Sequence, residues 1–131
     1  MAYVKEILDA ADKDITTLKQ HFGNKYFRNL MEAAYFEDKK FILPDGVPPY
    51  KENDLLEVHT SGQFWQIARK IDVFYRTDVK PIFRERAFIS ALESVSKPEA
   101  QILIAIKEQK LHELYPNLSI GKLREIGYFA G

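Results

Sequence analysis

Few side chains in this 131-residue chain are of the types that carry out chemistry. There is no cysteine, so the chain offers no thiolate nucleophile, disulfide or cysteine metal site. Glu57 and His59 flank Val58, close to Asp54, and this group could bind a metal ion or act as an acid–base pair. Neighbouring surface Glu and His residues are common, and nothing else in the sequence completes a site. We therefore favour solvent-facing loop residues without a catalytic role.

The sequence motifs typical of enzymes and of cofactor binding are missing. There is no P-loop, no dinucleotide-binding glycine motif and no serine-hydrolase elbow, and the 6 glycines are scattered along the chain. His112-Glu113 begins like the zinc motif H-E-x-x-H, but Pro116 stands where the second histidine would be. The sequence therefore predicts no enzyme, no cofactor and no bound metal.

A basic segment between residues 69 and 86 is the clearest charge feature. Tyr75 and Phe83 lie among its cations, so the segment could contact phosphates and stack on bases. Charge runs more often form solvated helix faces with local ion pairs, such as Asp72 with Arg69 or Arg76, and we favour that interpretation. The candidate phosphate contacts are Arg69, Lys70, Arg76, Lys80, Arg84 and Arg86.

The stretch from Phe41 to Tyr50, FILPDGVPPY, interrupts the helical pattern. Proline removes a backbone donor and clashes with the preceding turn, so this stretch cannot be the interior of a helix. Pro44-Asp45-Gly46 is typical of a turn, and the residues after it favour an extended, polyproline-like path. Its apolar content predicts an ordered crossover packed on the body of the protein. A Pro-Pro-Tyr sequence also resembles a ligand for aromatic-grooved modules. The candidate partner contacts are therefore Pro48, Pro49 and Tyr50.

Elsewhere the apolar residues recur mostly at helical spacing, which predicts an all-α fold. We expect a compact, irregular bundle of six or seven short helices in a single domain. Residues 1–40 would hold the N-terminal helices, residues 41–59 the proline-rich crossover, and residues 60–131 the C-terminal helices. The segment from Ala100 to Ile106 is apolar almost all round, which predicts a helix at the centre of the core.

Several residues are predicted to begin or end these helices. Gly23 suits the end of the second helix. Thr60 with Gln63, and Ser96 with Glu99, each fit the capping box that closes a helix N-terminus. Pro81 is favoured in a first turn, and Ser119 is predicted to cap a last short helix.

The bulk composition narrows the classes of partner. Lys and Arg total 19, as do Asp and Glu, and this zero net charge argues against a partner that attracts the whole protein electrostatically. A local charged patch stays possible.

The N-terminal segment from Met1 to Ala11 is predicted to form an amphipathic helix and lacks the apolar core of a signal peptide. No apolar run approaches the roughly 18 residues that span a bilayer. We expect a cytoplasmic protein without membrane contact.

Four segments together resemble a known family: Leu43–Tyr50, Arg84–Val95, Glu99–Leu111 and Tyr115–Leu118. In order and spacing they resemble small uncharacterised proteins of T4-like tailed phages, especially marine cyanophages. The resemblance implies a phage or marine origin, and hence the cytoplasm of an infected bacterium. It implies no catalytic residue and no ligand. The final segment Gly127–Gly131 departs from the Ala-Phe-Pro-like ending of that family.

These observations favour a noncatalytic phage accessory protein that binds another protein. The packed proline crossover and the aromatic C-terminal tail are its expected docking features. Association with nucleic acid through residues 69–86 is the first alternative, and a metal or acid–base site near Glu57 and His59 is the second. The sequence indicates neither a particular partner nor an oligomeric state.

Overall fold

The computed structural model describes residues 2–130, and α-helices account for most of that range, with no strand in it. Short 3-10 helices and turns join the α-helices, apart from one long loop between the second and third. The all-α prediction is confirmed. The α-helices are α1 (Val4–Lys13), α2 (Lys25–Tyr35), α3 (Glu57–Arg69), α4 (Pro81–Ser94), α5 (Lys97–Lys107), α6 (Leu111–Leu114) and α7 (Ile120–Glu125). The 3-10 helices in the same range are Ile15–His21, Glu37–Lys39 and Ile71–Phe74.

Helix α5 lies at the centre of the core, as its apolar pattern predicts. Every residue from Ile102 to Lys107 is buried, and α5 packs against α1, α2, α4 and α6. The predicted capping box at its start is present. The Ser96 hydroxyl accepts from the Glu99 N–H at 3.3 Å, and the Glu99 carboxylate accepts from the Ser96 N–H at 3.1 Å. This box fixes the short turn that joins α4 to α5.

The N-terminal helices pack on the same core through their apolar faces. Helix α1 buries Val4 and Leu8 among others, and α2, which packs against α3 and α5, buries Phe27. The side chain of Asn24 caps α2 by accepting from the Phe27 N–H at 3.0 Å. Buried residues from Val4 to Tyr128 belong to one core cluster, which joins both ends of the described chain.

One prediction about a helix start is wrong, and a tertiary contact explains it. Thr60 does not cap a helix, because α3 begins earlier, at Glu57, and the crossover is correspondingly shorter. Thr60 is buried inside α3, and its hydroxyl donates to the carboxylate of Glu99 on α5. The prediction that the second helix ends at Gly23 is confirmed, because the 3-10 helix Ile15–His21 has Phe22 as its C-cap and Gly23 follows directly. The φ angle of Gly23 nevertheless lies outside the left-handed region.

The aromatic C-terminal tail belongs to the core and is not free to dock. Tyr128 is only 3% exposed and meets Phe22 and Phe27 edge to face, while Phe129 packs on Phe36. Gly127, with φ +83°, allows the chain to turn back after α7, which the Ser119 side chain caps as predicted. Met1 and Gly131, which belong to the predicted first helix and tail, lie outside the described residues.

The Thr60–Glu99 contact leads to a prediction about stability. Replacing Thr60 by Val keeps the side-chain shape but removes a donor to a fully buried carboxylate, whose Oε2 already lacks a protein partner among residues 2–130. We expect Thr60→Val to lower the free energy of unfolding by about 1–3 kcal/mol, measured by urea denaturation. Thr60→Ser retains the hydroxyl and should be more stable than Thr60→Val. Equal or greater stability of Thr60→Val would show that this hydrogen bond contributes nothing.

Candidate functional site

The long loop between α2 and α3, here called the proline loop (residues 40–56), is tied to the body near both ends. At its start, the Ile42 N–H donates to the Phe74 carbonyl at 2.8 Å, and the Ile42 carbonyl accepts from Arg84 Nε at 2.6 Å. Near its end, the Lys51 N–H donates to Glu93 Oε2 at 2.7 Å, and Asn53 Nδ2 donates to the Glu93 carbonyl at 3.2 Å. The crossover is thus ordered, as its composition predicts.

A clamp at the C-terminal end of α5 holds the middle of the proline loop. Lys107 Nζ donates to the Gly46 carbonyl at 2.8 Å, and the Gly46 N–H donates to Glu108 Oε1 at 2.8 Å. Lys107 also pairs with Glu108 at 2.8 Å, and this ion pair compensates for the burial of the Lys107 side chain, which is 3% exposed. Gly46 has φ +89°, a conformation that favours glycine. Gly46, Lys107 and Glu108 are called the Gly46 clamp below.

The Gly46 clamp is also an electrostatic unit. The pKa of Glu108 lies below its ordinary value, chiefly because its carboxylate accepts a hydrogen bond from the Lys107 ammonium. Partial burial opposes this lowering of the pKa, and the Gly46 N–H and the charges of Lys107 and Lys110 add to it. The ionised carboxylate is therefore the form that holds the loop.

A pocket of about 330 Å³ lies between the proline loop and α4, and it is called the proline pocket below. Its volume falls within the range of roughly 300–1,000 Å³ that is usual for binding pockets. Most of the residues around it are apolar, and the charged ones have both signs. The loop contributes Leu43, Pro44, Asp45, Gly46, Val47, Pro48 and Pro49, and the helices contribute Ile82, Glu85, Arg86, Phe88, Ile89 and Lys107.

Two of these apolar side chains are exposed to solvent over about half of their surface or more. Val47 is 63% exposed and Ile82 is 48% exposed. Pro49 is exposed too, whereas Pro48 and Tyr50 are half-buried, and the Tyr50 hydroxyl is 3.5 Å from Gln101 Nε2. The structure therefore places the predicted partner contacts Pro48 and Pro49 in a pocket wall. Sequence reasoning missed Val47 and Ile82. The signal for an exposed apolar residue was the pair Ile82-Phe83 directly after Pro81, because the first turn of a helix usually faces solvent.

The basic segment contains one residue with a structural role. Arg84, a predicted phosphate contact, is buried, and its guanidinium donates to the carbonyls of Ile42, Arg76 and Val79 at 2.6, 3.1 and 2.8 Å. It thereby joins the proline loop to the turn that precedes α4. Buried backbone carbonyls need such donors, and the sequence does not show which arginine supplies them.

The other cations of this segment do not converge on one surface. The Arg76 guanidinium pairs with Asp78 through two hydrogen bonds of 3.0 and 2.7 Å. Arg69 lies over the ring of Tyr26, 5.6 Å from its centroid. Lys70 lines a groove between α3 and α4, whereas Arg86 lines the proline pocket on another side of α4. Lys80 and Arg86 are exposed.

Glu57 and His59 lie in the first turn of α3, not in a loop. Residues two apart in a helix do not face each other, and no hydrogen bond joins this pair within the described chain. No three His, Asp or Glu side chains among residues 2–130 are grouped so that they could hold a metal ion. Within the same range, no helix is long and apolar enough to cross a membrane.

The chain belongs to a family described as "Family of unknown function (DUF6433)", whose match covers residues 4–113. That range runs from the start of α1 into α6 and includes the proline loop and both sides of the Gly46 clamp. Helix α7 and the aromatic tail lie beyond it. No curated protein and no solved structure matches the chain.

The clamp predicts a pH dependence of stability. Because the folded-state pKa of Glu108 is lowered, its ionisation stabilises the fold above the ordinary value of 4.5, and this contribution is lost as the pH falls through the lowered pKa. At pH 7 we expect the free energy of unfolding of Glu108→Gln to be about 1 kcal/mol lower than that of the parent protein. This difference should shrink as the pH falls below 4.5, as measured by urea denaturation at several pH values. The matched change Glu113→Gln, at an exposed position of α6, should show no such difference. A difference for Glu108→Gln that stays constant with pH would contradict the clamp.

The dispersed cations predict weak binding of nucleic acid. If all six candidate residues contacted phosphates, log K would fall with log salt at a slope of about −5 for duplex DNA. We expect a slope shallower than about −2 in a fluorescence titration at several salt concentrations, because Arg84 is buried and Lys70 and Arg86 line different grooves. A slope near −5 would restore the nucleic-acid hypothesis.

Proposed function

We propose that this protein is a noncatalytic interaction protein that binds another protein through the proline pocket. The observation that carries the proposal is the pair of exposed apolar side chains, Val47 and Ile82, on either side of a pocket with mostly apolar walls. An apolar side chain of a partner that enters the pocket would remove these surfaces from water, which contributes about 25 cal/mol for each Å² buried.

The order of the proline loop supports the same proposal. Because the loop is tied at both ends and clamped at Gly46, a partner would meet a wall that is already in place. Binding to an ordered surface loses less conformational entropy than binding to a mobile loop. Arg86 has no ion-pair partner within residues 2–130, so its guanidinium is available to a carboxylate of the partner.

The setting proposed for this interaction comes from the sequence resemblance. A phage accessory protein would act in the cytoplasm of an infected bacterium, and we retain that origin and location as part of the proposal. Nucleic-acid association and a site at Glu57 and His59 have less support, because the basic residues diverge and that Glu–His pair does not converge.

The proposal predicts a separation between binding and stability. Ile82→Ser and Val47→Ser replace exposed apolar groups, so we expect each thermal midpoint to stay within about 2 °C of the parent. We expect the tagged double variant, purified from the natural host, to recover at least tenfold less of a partner protein than the tagged parent protein does. Quantitative mass spectrometry of the purified complexes measures this loss.

A matched control comes from α6. Leu114 is 46% exposed and does not line the proline pocket, so Leu114→Ser should recover the partner as the parent does. If the double variant and the parent recover the same proteins in equal amounts, the proline pocket is not the binding site.

A further inference from the structure

We propose that residues 43–50 form a strap over the proline pocket that opens locally, and that the Gly46 clamp controls this opening. The inference rests on the proposed function, because the strap is one wall of the pocket that would receive the partner. It adds regulation of that site to the binding itself.

The pattern of hydrogen bonds defines the strap. Ile42 before it and Lys51 after it are each bonded to the body of the protein. Between them, Gly46 carries the only backbone hydrogen bonds found within residues 2–130. Proline has no N–H to donate, so Pro44, Pro48 and Pro49 cannot add more. The contact of Tyr50 with Gln101, at 3.5 Å, is too long to be a strong tie.

Loss of the clamp would therefore release the middle of the strap and leave its ends attached. Regions with few buried contacts and few hydrogen bonds open locally at lower free energy than the core. Val47 and Pro49 in the strap are exposed, whereas the floor of the pocket includes Phe88, which is buried. Lifting the strap would uncover this floor and remove the wall that the partner meets.

The opening would weaken binding of that partner, because the closed strap is the ordered wall that the partner meets. The measured Kd then equals the intrinsic Kd divided by the fraction of molecules that are closed. The clamp keeps the closed fraction large, because Lys107 and Glu108 bind the two peptide groups on either side of the Gly46 Cα and also pair with each other. Other charged groups near the clamp are Lys110, Asp45, Glu85 and Arg86.

Amide hydrogen exchange followed by NMR tests the strap without any partner. The amides of Ile42, Gly46 and Lys51 report on the start, middle and end of the region. In Lys107→Met, which keeps an unbranched buried side chain, we expect Gly46 to exchange at least tenfold faster than in the parent. Ile42 and Lys51 should change less than twofold. Glu108→Gln provides a second variant, with a smaller increase at Gly46.

Two exchange results would overturn the proposal. If the three amides accelerate together with amides of α5, the strap opens only when the protein unfolds. If Gly46 does not accelerate in either variant, the clamp does not hold the strap. Neither result bears on the partner-recovery experiment with the Ile82 and Val47 variants, so the two proposals fail separately.

The fluorescent dye 1-anilinonaphthalene-8-sulfonate, whose aromatic rings bind to exposed apolar surface, tests whether the opening uncovers the pocket. We expect Lys107→Met to bind the dye at least threefold more strongly than the parent, and the added change Ile82→Ser to reverse this gain. Faster exchange at Gly46 without stronger dye binding would overturn the link between the strap and the pocket.

Discussion

Burial of α5 is the constraint on which the rest of the structure depends. A helix that is surrounded by protein cannot leave the polar groups at its ends to water, so other segments must supply their partners. At the N-terminal end, Glu99 accepts from Ser96 and from Thr60 on α3. At the C-terminal end, Lys107 and Glu108 bind the peptide groups of Gly46. The apolar middle of the helix drives the packing, and its polar ends decide what lies against it.

The proposed binding region follows from the second of these ends. The proline loop has little regular structure of its own, yet it holds one position because α5 offers both a donor and an acceptor to a single glycine. Arg84 performs the corresponding task at the start of the loop. The side chains around the pocket in this region are mostly apolar, which is typical of binding pockets. The family match encloses all of these residues.

The residue types alone predicted much of this region, but they did not predict the roles of its polar groups. Three prolines and a glycine predicted the break in the helices, because proline excludes a helix interior and glycine favours a turn in any surroundings, and the apolar content of the stretch predicted that it is ordered. Thr60 was predicted as a helix cap and Arg84 as a surface cation, and both prove to be buried donors. A hydroxyl or guanidinium group can hydrogen-bond to a group nearby in the chain or to a distant one, and residue spacing alone does not distinguish these two cases.

The sequence by itself determined the helical class, the central position of α5, its Ser96–Glu99 cap and the break at the proline loop. These depend on local backbone preferences and on the period of apolar residues, which act over a few positions along the chain. Only the tertiary structure decided that Gly46 meets Lys107 and Glu108, that Arg84 faces inward, and that Val47 and Ile82 share a pocket. Each of these contacts joins residues far apart in the chain, so it depends on how the helices pack and not on what either residue prefers alone.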